Sequence, residues 1–166
     1  MTNAPIDPLV IIELTNLKAA GKLEDLAKHP SLAMKPEWMG ELAKNKNYTV
    51  RRSLAANPAI ATVRDIIERL AKDRTVAVRQ SLAANPALAS FPEVAQALAT
   101  DEDWRVRQSL AANPAIASSP EAIQTLATDE DPTVRWCLAK NPAIPTRTVS
   151  ANKWRPAKLS ASTPAV

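Results

Sequence analysis

The residues with the widest chemical reach occur here once each. Cys137 stands alone, which excludes an intramolecular disulfide, a Cys-x-x-Cys zinc or redox site and a cysteine-ligated iron–sulfur cluster. His29 alone cannot build a multi-histidine metal site. With no orienting partner apparent, we read it as bonding to nearby backbone. Gly21 and Gly40, the two glycines of the chain, open no phosphate-cradling loop. No catalytic residue, cofactor or metal is therefore expected.

What the chain does supply is charge and tryptophan in recurring columns. Arg51, Arg79, Arg107 and Arg135 stand 28 residues apart, and Asp73, Asp101 and Asp129 keep step with the last three. Such a row of guanidinium groups could meet phosphates along a nucleic-acid backbone. The alternative is structural: each arginine braces a turn by pairing with the aspartate six residues before it, or with that of the next repeat. We read the column as bracing. Arg51 is the exception, having Asn45 where the others have aspartate.

The next column holds Arg52, Gln80, Gln108 and Trp136. A tryptophan in a polar row is a natural anchor for a partner. Its other reading is that the terminal segment, through Trp154, folds back and covers it.

Charge is unevenly spread. Residues 1–43 carry four basic and six acidic side chains, 44–79 nine and three, 80–131 two and eight, and 132–166 six and none; the net charge is +4. Lys44, Lys46, Arg51, Arg52 and Arg79, with Lys153, Arg155 and Lys158 near the end, are the candidate contacts to nucleic acid. However, Asp101, Glu102, Asp103, Asp129, Glu130 and Asp131 interrupt any continuous basic stripe.

These columns require elements that hold them in register. The phrase Val50-Arg-Arg-Ser-Leu-Ala-Ala-Asn-Pro-Ala-Ile60 returns at Val78, Val106 and Val134, and a worn copy, Leu26-Ala-Lys-His-Pro-Ser-Leu32, precedes it. Five copies of a 28-residue unit that cannot bury its own apolar face must stack on one another. Each unit parses into two short helices. The first, about Pro92 to Thr100 in one copy, carries Val94, Ala95 and Leu98 at helical spacing, and Thr62 with Asp65, Ser90 with Glu93 and Ser118 with Glu121 have capping-box spacing at its start. The second begins after Asn47, Thr75, Asp103 or Asp131 and stops at Asn-Pro, because proline drives the preceding asparagine out of the α region. Leu26, Leu54, Leu82, Leu110 and Leu138 should then line a common interior, with Val50, Val78, Val106 and Val134 one turn earlier.

We expect an all-α, right-handed solenoid over residues 23–144, capped by a helix within 1–22 that starts at Asp7-Pro8, buries Val10, Leu14 and Leu17 and ends near Gly21. Residues 145–166, with three prolines and no acid, read as a partly ordered segment and flexible tail. Trp104 is expected in turn packing, Trp38 in the core, and Cys137 as an inert inner thiol. The longest early apolar run, Leu9 to Ile12, is too short for a signal or membrane segment, so a cytoplasmic protein without membrane contact is expected.

The phrase Asp-x-x-x-x-Val-Arg-x-x-Leu-Ala-x-Asn-Pro-Ala, complete at Asp73 to Ala87, Asp101 to Ala115 and Asp129 to Ala143, resembles the leucine-rich repeat variant family. Its Asp-x-x-x-x-Val-Arg part is also similar to HEAT repeats. The resemblance covers about three quarters of the chain. It implies a stacked superhelix in which one helix of each pair tends to 3₁₀ geometry, an Asp–Arg ladder of HEAT type, and binding rather than catalysis. The 28-residue unit is longer than the usual variant repeat, and the cysteine cluster that holds an iron–sulfur centre in some members is missing. The expected function is a non-enzymatic scaffold binding a protein partner through Arg52, Gln80, Gln108 and Trp136, with nucleic-acid binding as the alternative. A DNA glycosylase of stacked-helix type is a third reading, with no motif to mark its catalytic aspartate.

Overall fold

The computed structural model describes residues 8–144, and every regular element among them is helical. The chain runs through α1 (Pro8–Ala19), α2 (Leu23–Lys28), α3 (Pro36–Leu42), α4 (Tyr48–Ala56), α5 (Arg64–Ala71), α6 (Val76–Ala83), α7 (Pro92–Ala99), α8 (Trp104–Ala112), α9 (Pro120–Ala127) and α10 (Pro132–Lys140). Four 3₁₀ turns, Pro30–Met34, Pro58–Thr62, Pro86–Ser90 and Pro114–Ser118, follow α2, α4, α6 and α8.

The even-numbered helices start where small polar residues satisfy their first amides. Asn47, Asp103 and Asp131 accept from the backbone N–H of Thr49, Arg105 and Thr133. Thr75 also occupies the cap position of α6, but its hydroxyl accepts from Arg51 Nη2 at 3.2 Å instead. The capping boxes expected before the odd-numbered helices do not form. Val63, Phe91 and Ser119 occupy the cap positions without a capping side-chain bond, the Ser119 hydroxyl donating instead to the Pro92 carbonyl, while the Thr62 and Ser118 hydroxyls donate to the carbonyls of Ala59 and Ala115 in the preceding 3₁₀ turns.

The Asn-Pro steps end the even-numbered helices as expected, with Asn57, Asn85, Asn113 and Asn141 all extended. Proline's fixed φ then starts a 3₁₀ turn. The resemblance implied 3₁₀ geometry for one helix of each pair. Instead both partners are α-helical, and the 3₁₀ turn is a third element placed between them.

Three layers follow. The even-numbered helices α2, α4, α6, α8 and α10 each pack on the next, the four 3₁₀ turns do the same, and so do α5, α7 and α9. Leu26, Leu54, Leu82, Leu110 and Leu138 share one buried interior with Val50, Val78, Val106 and Val134. The 3₁₀ turns add Leu32, Ile60, Leu88 and Ile116, and the odd-numbered helices add Leu42, Leu70, Leu98 and Leu126. Helices of about two turns are marginal alone, so this shared burial is what holds them.

At the first end α1 lies against α2 with Leu14 fully buried and Val10 and Leu17 packed partly beneath it. Gly21, at φ +68°, closes α1: its N–H donates to the Lys18 carbonyl (3.1 Å) and the Lys22 N–H to that of Leu17 (3.0 Å). No described helix is long and apolar enough to cross a membrane. The segment 145–166, including Trp154, lies outside the described residues.

Candidate functional site

The repeated arginines and aspartates form a buried ladder. Arg51 Nε donates to Asp73 Oδ2 (2.6 Å) and Nη2 to Oδ1 (3.0 Å), while Nη1 reaches the Asn45 carbonyl (2.7 Å). Arg79 repeats this with Asp101 at 2.7 and 3.0 Å and the Asp73 carbonyl at 2.8 Å. Arg107 does so with Asp129 at 2.7 and 3.1 Å and the Asp101 carbonyl at 2.7 Å. Each carboxylate also accepts the N–H two residues on, from Thr75, Asp103 and Asp131. The two-pronged geometry suits a planar guanidinium.

The carboxylate partner is thus the aspartate of the next repeat, and the turn six residues before contributes only its carbonyl. This register accounts for Asn45. An aspartate there would need an arginine 28 residues before Arg51, and that position is Leu23.

Electrostatics follow from the pairing. The hydrogen bonds to Asp73, Asp101 and Asp129 raise the pKa values of Arg51, Arg79 and Arg107 against the opposing effect of burial. Burial pushes the Asp73 carboxyl up, but Arg51 and the Thr75 amide together bring it below its ordinary value. Asp131 is lowered foremost by the Thr133 amide. Arg51 and Arg79, two of the candidate phosphate contacts, are only 6% and 7% exposed, with their guanidinium nitrogens engaged within the stack. Lys44 and Lys46 are exposed on the turn between α3 and α4; Lys153, Arg155 and Lys158 lie outside the described residues.

A second ladder was not foreseen. Asn57 Nδ2 donates to the carbonyls of Ala27 (2.8 Å) and His29 (2.9 Å), and Asn85, Asn113 and Asn141 each do the same to the repeat before. Their Oδ1 atoms accept the N–H of Ala59, Ala87, Ala115 and Ala143. His29 matches half of this: its Nδ1 accepts the Ser31 N–H at 3.2 Å. The recurrence of Asn three residues after the interior leucine and two after an alanine was the available signal.

With both ladders facing inward, the column Arg52, Gln80, Gln108 and Trp136 lies on four helices that pack in sequence, α4, α6, α8 and α10. Arg52 is exposed, with Nε 3.4 Å from Ser81 Oγ; Gln80 and Gln108 are half-buried; Trp136 is 60% exposed, with Lys140 Nζ 5.8 Å from its ring centre. Four residues earlier, on the same helical face, come Tyr48, Val76, Trp104 and Pro132. Trp104 is 40% exposed rather than packed in the turn, and Tyr48 is exposed too. The result is a strip of aromatic and amide side chains across four repeats.

The remaining singletons are structural. Trp38, expected in the core, is half-buried at its edge, with Lys18 and Lys35 at 4.7 and 5.6 Å from its ring centre. Cys137 is half-buried against the core. Among the described residues, no three His, Cys, Asp or Glu side chains gather to hold a metal ion.

Fold and site together define an all-helical stack of repeats braced by two polar ladders. No protein-family model, curated protein or solved structure matches the chain.

Proposed function

We propose that this chain is a non-catalytic cytoplasmic scaffold, a right-handed α-solenoid of the leucine-rich repeat variant or HEAT-like kind, that binds a protein partner through Arg52, Gln80, Gln108 and Trp136. The observation that carries this reading is Trp136, left 60% exposed at the end of a row whose other members stand one repeat apart on directly packed helices. Large aromatic groups with adjacent amides supply an apolar anchor and hydrogen-bonding capacity in one strip, the composition of energetic centres in interfaces. The ladders hold the row in place before contact, so little ordering entropy is lost on binding.

The test is affinity capture by the full chain, with Trp136→Ala and Gln108→Ala compared at equal helical content. Retention of the partner undiminished by both changes would move the site elsewhere. Nucleic-acid binding, the alternative, would have to proceed without Arg51 and Arg79, whose guanidinium groups are engaged in the ladder.

A further inference from the structure

The turn that precedes each even-numbered helix changes sign along the stack. Its sequence is Lys44-Asn45-Lys46 before α4 and Lys72-Asp73-Arg74 before α6, but Thr100-Asp101-Glu102 before α8 and Thr128-Asp129-Glu130 before α10. In the later turns the glutamates have a structural part. Glu102 lies 3.2 Å from Arg79 Nη2 and Glu130 3.3 Å from Arg107 Nη2, each adding a second carboxylate to the ladder. Arg74 stands in that place for Arg51 and can add none; Arg51 Nη2 has the Thr75 hydroxyl instead. The ladder would therefore be better served by glutamate at position 74.

The basic turns line an open cleft of about 380 Å³, bordered by Lys44, Lys46, Arg69, Lys72 and Arg74 beside the Arg51–Asp73 pair. A second hollow, lined by Lys44, Arg69 and Lys72 together with Asp65 and Glu68, continues from it. Glu68 is paired with Arg64 at 2.7 Å and Asp73 with Arg51 at 2.6 Å. Among the described residues, none of the five cations lies within 4 Å of a carboxylate. Arg69 and Lys72, at the end of α5, complement its dipole. Lys46 and Arg74 have no such use, and five like charges around one hollow, opposed only by the Asp65 carboxylate of the adjoining one, unpaired among the described residues, leave an excess that an anion would neutralise.

We propose that this cleft binds a compact polyphosphate. Phosphate suits it because lysine and arginine meet phosphate oxygens by charge-assisted hydrogen bonds, and several phosphates are needed to match five cations. Compactness follows from the acidic half of the same edge. Packed helices lie about 8–10 Å apart, so Glu102 stands about one repeat beyond Arg74, where a strand reaching past the cleft would meet its carboxylate directly. A long anionic strand laid along the edge would run from attraction into repulsion. None of Arg52, Gln80, Gln108 or Trp136 lines the cleft, so the site stands apart from the proposed protein-binding strip.

The probe is inorganic tripolyphosphate, titrated calorimetrically into the full chain. Saturable one-to-one binding is expected, weakened at least tenfold by Lys46→Glu with Arg74→Glu. Those substitutions install, at two exposed positions, the residue that the later turns carry. Lys44→Thr with Lys72→Thr, again copied from the later turns, gives a second variant with the same expected loss. Absence of saturable binding, or affinity unchanged in both double variants, overturns the proposal. Tighter binding of a twelve-nucleotide single strand than of tripolyphosphate also overturns it, in favour of an extended nucleic-acid backbone.

Discussion

Asn85 reaches back across a repeat boundary to donate its side-chain amide to the main-chain carbonyl of Asn57 at 3.1 Å, and Asn57 does the same to His29 at 2.9 Å. From α4 onward, the residue that stops each even-numbered helix is thereby also the residue that fixes it to the one before. Proline following it starts the 3₁₀ turn, and the asparagine Oδ1 caps that turn. Helix termination, turn initiation and stacking are thus served by one side chain.

Replacing Asn85 with alanine should be far costlier than its polar character suggests. It strands the Ala55 carbonyl and the Ala87 N–H, both at buried residues, and leaves the Asn57 carbonyl with the Ile60 N–H alone. Unsatisfied buried groups cost about 1–3 kcal/mol each, and with partial relaxation we expect a loss of about 3 kcal/mol in urea denaturation. The exposed change Ala89→Ser should stay within about 0.5 kcal/mol.

Arg79 and Asp101 should show strong coupling. Removing one member of a buried pair costs about 3–5 kcal/mol because the other is left charged and unpaired. Arg79→Met and Asp101→Leu should each destabilise by about that amount, while the double variant loses less than the two losses combined. Additive losses in the double-mutant cycle would refute the coupling.

Acid should loosen the ladder at Asp73. Its folded pKa is depressed, so its contribution to stability is fully present above the ordinary carboxylate range near about pH 4 and is lost as pH falls through the lowered folded value. Asp73→Asn lacks this contribution throughout. Its stability should therefore decline less steeply than that of the parent chain between about pH 5 and pH 3, as read from denaturation midpoints.

The two glycines should respond with opposite signs. A Cβ at either would meet nothing within 4 Å, so sterics with neighbours do not decide. Gly21 sits at φ +68°, and Gly21→Ala should cost about 1 kcal/mol of backbone strain. Gly40 lies inside α3, and Gly40→Ala should gain about 0.5–1 kcal/mol by restricting the unfolded chain. Denaturation of both variants under one buffer condition checks the pair.

Much of this architecture was legible because a 28-residue period forces equivalent residues into equivalent surroundings. Leu54, Leu82 and Leu110 share one interior, and the Asn-Pro steps stop the helices where φ restriction says they must. The 3₁₀ turns were not legible, since five residues such as Pro58–Thr62 are too few to show a period. The capping boxes failed because Thr62 and Ser118 had nearer acceptors in those same turns. For the arginines, sequence left two possible aspartates. Only the position of Arg51 opposite Asp73, with Leu23 one repeat before, selects between them. The exposure of Trp104 was missed because its column mixes Tyr48, Val76 and Pro132, which share no polarity.

We propose a division of labour in which the ladders brace and the row ending at Trp136 binds. The most direct measurement is partner retention by the Trp136→Ala/Gln108→Ala double variant, with its thermal midpoint determined on the same sample. Loss of the partner at an unchanged midpoint is the predicted result. Full retention at an unchanged midpoint would contradict it.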